Sequence, residues 1–246
     1  MSPELSPAAR AYLTAFADDE HLIGARHTSW IGTAPFLEED LAFCSIAQDE
    51  LGHAIALYEL VTDDVDRFAL LRAPGDYRSC ALAEAECADW ADALVRHALY
   101  DHAESLRWEA LAGSTIPGVG DIAARARRDE EFHLAHADAL VGRLLAVGGE
   151  PAERIAASLA ALAPSAVDVW SPPEMEDEAV AQGVVAVPSA VLAERWRADL
   201  RTLFGPLPES LSAEPAPDAR THRSAGFAEL HAQIRRVIEL DPTARW

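Results

Sequence analysis

The sequence predicts an all-α protein: a four-helix bundle of two hairpins, with further helices appended after it. Three observations carry this. Half the residues are apolar, aromatic residues make up 7%, and Ala and Leu dominate over β-branched types, which favours helix over sheet. Apolar residues recur at three- and four-residue spacing through four long windows. Clusters of Gly and Pro separate those windows, and no stretch carries a hairpin signal.

The first helix is expected from about Pro7 to Ile31, with Ser6 as N-cap and "GTAP" at 32–35 as its stop. The second runs from Leu37 to Val61, followed by a loop with one helical turn, "TDDVDRFALLRAPGDY". The third is expected over Cys80 to Ala112 and the fourth over Gly120 to Val147, with "GSTIPGVG" between them and "GGEP" after. Shorter helices are expected near 152–163, 188–204 and 224–240, around a Pro-rich acidic stretch and the loop "GPLPESLSAEPAPDA". The reading is one domain over 1–246, with the bundle at about 7–148 and appended helices at about 151–246.

The net charge is −21 and the chain contains no Lys, so nucleic acid is not an expected partner. Cys44, Cys80 and Cys87 form no C-x-x-C pair, which argues against a disulfide scaffold, a zinc knuckle or an iron–sulfur centre. Cys44 reads as a buried, inert thiol. The start "MSPELSPAARAYL" is not a signal peptide, and no apolar run is long enough for a membrane span. A cytoplasmic protein is expected.

One motif occurs twice. "QDELGH" at 48–53 returns as "RDEEFH" at 128–133, and both read Asp-Glu-x-x-His. With 22 Glu and 9 His in the chain, one Glu-x-x-His is expected by chance, so position must supply the rest of the argument. Glu and His three apart lie about 60° apart around a helix, and both can face the bundle interior. A metal site there also needs a carboxylate at the same height on each partner helix. Glu20 and Glu50 lie roughly 17 and 20 Å from their shared turn, at 1.5 Å per residue. Asp101 and Glu130 are similarly placed about theirs. The separations, 30 residues from 20 to 50 and 29 from 101 to 130, agree.

The expected ligands are therefore Glu20, Glu50, His53, Asp101, Glu130 and His133. Ferritin-like di-iron proteins have this arrangement: a carboxylate from each of two helices and a Glu-x-x-His from each of the others. Four inward carboxylates without a cation would repel one another severely. Two iron ions are the expected cofactor, and the same ligand types hold manganese. Glu104, one turn from Asp101, is the fallback ligand. Asp49 and Asp129 precede ligand glutamates and point to their helix flanks. From there each is expected to accept the outer N–H of the opposite imidazole, Asp49 from His133 and Asp129 from His53. The alternative is a pair of solvated aspartates. His136 reads either as a channel residue or as an ordinary interfacial histidine. His21, His27 and His97 have no partner that the sequence identifies.

The runs "EHLIGARHTSWIGTAPFLEEDLAFCSIAQDELGH", "YDHAESLRWEA", "RRDEEFHLAHADALVGRL" and "HRSAGFAELHAQIRRVIELDPTARW" resemble the multicomponent phenylacetyl-CoA 1,2-epoxidase family. That family has a catalytic di-iron A subunit and a related structural C subunit of about this length. In length, in the turn from Trp30 to Pro35 and in its ending on Trp246, the chain is similar to the C subunit. At the six ligand positions it is similar to the A subunit.

The resemblance implies a di-iron oxygenase of the monooxygenase or epoxidase type, acting with O₂ on an aromatic or other organic substrate such as a CoA thioester. Electrons would come from an external reductase, since the chain lacks a dinucleotide fingerprint and cluster cysteines. A homologous subunit is an expected partner, as a homo- or hetero-oligomer. Two other readings stay open: a non-catalytic structural subunit, and ferritin- or rubrerythrin-like handling of iron or peroxide.

Overall fold

The computed structural model describes residues 5–241; residues 1–4 and the Trp246 ending lie outside the described residues. The chain is all-α and ferritin-like, with no strand among the described residues. Its helices are α1 (Pro7–Thr28), α2 (Leu37–Val61), α3 (Val65–Leu70), α4 (Ala81–Glu84), α5 (Trp90–Leu111), α6 (Val119–Val147), α7 (Gly149–Ala166), α8 (Glu176–Ala181), α9 (Ser189–Phe204) and α10 (Phe227–Leu240).

Local chemistry sets the helix ends. Ser6 Oγ accepts the N–H of Ala9 at 3.1 Å, and Pro7 occupies the first turn of α1, where its missing donor costs nothing. Asp89 caps α5 by accepting the N–H of Asp92 at 3.1 Å. That cap explains why the expected third helix is two pieces: the chain is extended between α4 and α5 and restarts at Trp90. Gly148 and Gly149 both have positive φ, 71° and 58°, and turn the chain from α6 directly into α7. The first helix ends at Thr28, three residues short of Ile31. The Pro-rich acidic stretch contains the short helix α8.

Hairpins α1–α2 and α5–α6 form the bundle, and the later elements cover one side of it. Helix α7 packs on α5 and α6, α9 on α5 and α6, and α10 on α1 and α3. In consequence α1 and α5 are buried around almost their whole circumference, while α2 and α6 bury one face each. Cys44, on the outer face of α2, is exposed, which corrects the expectation of a buried thiol. Among the described residues, the appended helices α7, α9 and α10 pack on α1, α3, α5 and α6 instead.

Arginines join the last third of the chain to the bundle. Arg220 Nη1 donates to Asp19 Oδ2 at 3.0 Å, and its other nitrogens bond the carbonyls of Ser171 and Val169. Arg223 pairs with Glu84, whose other oxygen accepts the N–H of Ser224 at 2.7 Å. Removing Asp19 would leave the buried Arg220 guanidinium without its acid, an expensive arrangement in a low-dielectric interior. No helix among the described residues is long and apolar enough to cross a membrane.

Candidate metal centre

Helix α1 approaches α2 closely where Glu20 and Glu50 meet. A Cβ on Gly24 would lie 3.0 Å from Glu50 Cβ and 3.2 Å from the Ala47 carbonyl oxygen, so any larger residue would push the two helices apart by a few tenths of an ångström. Around that contact, Glu20, Glu50, His53 and Glu104 each place a ligand atom within 4.8 Å of the others. Glu50, Glu130 and His133 form a second group by the same measure. Glu50 belongs to both, so its two oxygens can serve adjacent cations. All six side chains are buried.

Both imidazoles turn Nδ1 inward. His53 Nδ1 lies 3.2 Å from Glu104 Oε1 and 3.4 Å from Glu20 Oε2. His133 Nδ1 lies 3.0 Å from Glu130 Oε1. On the outer side, His53 Nε2 is 3.2 Å from Asp129 Oδ2, and His133 Nε2 is 3.4 Å from Asp49 Oδ2. A carboxylate on Nε2 favours the proton there and leaves Nδ1 free as a donor to metal.

Asp101, expected as the fourth carboxylate, enters neither group. Its Oδ2 lies 2.8 Å from His97 Nδ1 instead, and Glu104 occupies the position beside Glu20. The pairing of α1 with α5 explains the difference. The two helices run antiparallel, Trp30 beside Trp90 and Phe16 beside Trp108 with ring centroids 5.7 and 4.4 Å apart, and this register sets Glu104 rather than Asp101 beside Glu20.

The donor set fits a pair of hard divalent cations. Both oxygens of Glu50, Glu130 and Asp101, one each of Glu20 and Glu104, and His133 Nδ1 are buried with no hydrogen-bond partner among the described residues. Buried polar atoms are otherwise almost always satisfied, so these point to a ligand. Oxygen donors with two imidazoles suit iron or manganese.

The charges show the same strain. Burial, then the charge of Glu104, pushes Glu20 up to about 8. Burial and the surrounding carboxylates, Glu104 first, hold Glu50 and Glu130 well above the usual range. For Glu104 burial works upward too, but hydrogen bonds with His53 and Glu20 outweigh it and keep the group well below the usual range. Burial opposes a charge on His53, yet hydrogen bonds to Glu104 and Glu20 lift it to about 11. Protons on carboxylates and imidazole therefore balance the cluster, and a cation must displace them.

The sequence reading missed the supports of the cluster. Tyr100 Oη donates to Glu20 Oε1 at 2.7 Å, Arg107 Nη2 donates to Tyr100 Oη at 2.8 Å, and Trp108 Nε1 donates to Glu104 Oε1 at 2.7 Å. All lie three or four residues from Glu104 on α5, the one signal that could have found them. A second run leads outward from His97, which lies beside Asp101: its Nε2 is 3.2 Å from His136 Nδ1, and Glu39 is 2.8 Å from His136 Nε2.

The family model described as phenylacetic acid catabolic protein matches residues 1–246. The chain belongs to this family. Within it, the chain is similar to the C subunit of 1,2-phenylacetyl-CoA epoxidase from Escherichia coli (strain K12), 24% identical over 228 residues, covering 91% of this chain and 90% of that one.

Proposed function

We propose that this member of the phenylacetic acid catabolic protein family is a di-iron oxygenase. One observation carries the reading: two groups of buried ligand atoms share Glu50, with carboxylate oxygens that no protein donor satisfies. Glu20, Glu50, His53, Glu104, Glu130 and His133 would hold the metals, with Asp101 beside them. When bound, two iron ions would supply activation of O₂ toward an organic substrate.

The protein's own contribution is positioning and proton handling. Asp129 and Asp49 fix the tautomers of His53 and His133 through Nε2. Tyr100 and Trp108 hold one oxygen each of Glu20 and Glu104, leaving the other oxygen of each free. The hydrogen-bonded run His97–His136–Glu39 leads outward from beside Asp101 to the partly exposed Glu39. Electrons must come from a partner reductase, because the three cysteines are unpaired and separate.

The end-to-end similarity to an epoxidase C subunit favours a second reading, a protein that holds metal and supports a catalytic partner. Anaerobic loading of the full chain with Fe(II), followed by metal analysis and O₂ consumption, separates the two. Two irons per chain with O₂ uptake faster than free ferrous iron supports the oxygenase. Two irons inert to O₂ supports the structural role, and a folded chain that binds none refutes both.

A further inference from the structure

Helix α2 carries apolar residues on two faces. Phe43, Ile46, Ala47 and Leu57 are buried in the bundle, while Leu37, Leu41 and Ile55, on the other side, are 70, 62 and 49% exposed. On α6, Phe132 lies between Asp129 and His136, which both contact α2, and it is half exposed as well. A monomer seldom leaves apolar side chains gathered on one face in this way. Along α2 the exposed Leu41, Cys44, Gln48 and Ile55 follow one another at steps of three, four and seven, the spacing of a seam that packs on another helix.

The seam matches its own copy when reversed about Gln48. A half-turn there sets each residue against the one equally far beyond Gln48: Leu41 against Ile55, and Cys44 against Gly52. A Cβ at Gly52 would meet nothing within 4 Å, so the thiol of a second copy has room. Charge follows the same symmetry. His53 meets Asp129 and His133 meets Asp49, so α6 runs antiparallel to α2, and Arg125 and Arg128 lie near the end of α2. The half-turn carries both arginines to the start of the other α2, where Glu38 is exposed. Glu59 arrives with them, and the two arginines outweigh it. Size fits too. Helix α2 is about 37 Å long, and with α6 beside it, each about 10 Å wide, the face offers roughly 700 Å², close to the ~800 Å² per partner of a stable interface.

We propose that two copies of this chain pair through this face, α2 against α2 and antiparallel, with the two-fold axis at Gln48. Glu50 and His53 project from the buried side of the same helix, so the pairing braces a helix that supplies both groups of metal ligands.

The test is sedimentation equilibrium of the full chain, which should find a dimer that tightens as salt screens the net charge of −21. Leu41→Glu should weaken the dimer at least about tenfold, because each dimer carries the change twice. Val191→Glu, at an exposed apolar position on α9, should leave it unchanged. Circular dichroism checks that both variants stay helical. Arg125→Glu should weaken the dimer about threefold, and adding Glu38→Arg should restore it. Register is read by mild oxidation. Gln48→Cys in a Cys44→Ser background should cross-link to its mate, since residues on the axis of two packed helices come within disulfide reach. Cys44 of the parent should not, because its mate lies about 12 Å away along the seam. A chain that stays monomeric by itself, even if a related chain binds it, overturns the self-pairing. A dimer indifferent to Leu41→Glu, or one that loosens with salt, overturns the apolar seam. Cross-linking through Cys44 in place of the introduced thiol overturns the register. Should Leu41→Glu fail to fold, the Gln48→Cys cross-link still decides.

Discussion

Replacing Glu104 by Gln tests which carboxylate of α5 belongs to the metal cluster. The substitution keeps the shape of the side chain and an oxygen to accept from Trp108 Nε1, now 2.7 Å from Glu104 Oε1. It removes the charge that faces His53 Nδ1 at 3.2 Å and the free oxygen Oε2. In the protein stripped of metal, two effects oppose each other. His53 loses its strongest partner, while Glu20 loses the like charge that helps lift it to about 8. Thermal stability without metal should therefore change little.

With metal the effects no longer cancel, because the cation loses a charged ligand. Breaking one partner of a buried charge pair costs about 3–5 kcal/mol, so affinity should fall between roughly a hundredfold and a few thousandfold. Co(II) titration of the full chain, followed by its visible absorption bands, measures this directly. Asp101→Asn should weaken Co(II) by no more than about a hundredfold, the range for residues that act through a ligand or its surroundings. The opposite order, with Asp101→Asn abolishing binding and Glu104→Gln sparing it, would refute the assignment of Glu104 as the ligand beside Glu20.

Asp129→Asn should lower Co(II) affinity about 10- to 100-fold by releasing the tautomer of His53, seen as an altered imidazole Nε2–H signal in NMR; unchanged affinity would discard that role. Gly24→Ala should separate α1 from α2 at Glu50 and cost about 1–3 kcal/mol in urea denaturation, weakening metal binding as well. The pH dependence of the metal-free protein has a defined sign. Glu20 has its folded pKa raised from 4.5 to about 8, so its contribution is full below 4.5 and is lost as pH rises through 8. His21, lowered by burial to about 4, and His27 and His97, lowered further by burial, act the other way but finish by 6.5. Between about pH 7 and about pH 8.5 the urea midpoint should therefore fall, and bound Zn(II) should remove the fall; a rising midpoint would contradict the protonated cluster.

The sequence by itself determined the fold class and most of the bundle. Apolar spacing and Gly/Pro breaks are local signals, and they placed α2 from Leu37 to Val61, as the structure has it. The repeated Asp-Glu-x-x-His also placed Glu50 with His53 and Glu130 with His133, because a three-residue step on a helix fixes a shared face. Tertiary structure decided what depends on height and on neighbours. The antiparallel register of α5 on α1, Trp90 beside Trp30 and Trp108 beside Phe16, sets which residue of α5 comes level with Glu20, and no local pattern separates Glu104 from Asp101 across a single turn of helix. Tyr100 and Arg107 reach Glu20 and Asp19 only once α1 and α5 pack, whereas Trp108 meets Glu104 within α5. Burial of α1 and α5 on all sides, and exposure of Cys44 on α2, follow from where the C-terminal third lies. That placement rests on Arg220 meeting Asp19, two residues 201 apart in the chain. A guanidinium and a carboxylate find each other by charge and desolvation across space, and spacing along a sequence carries no record of it.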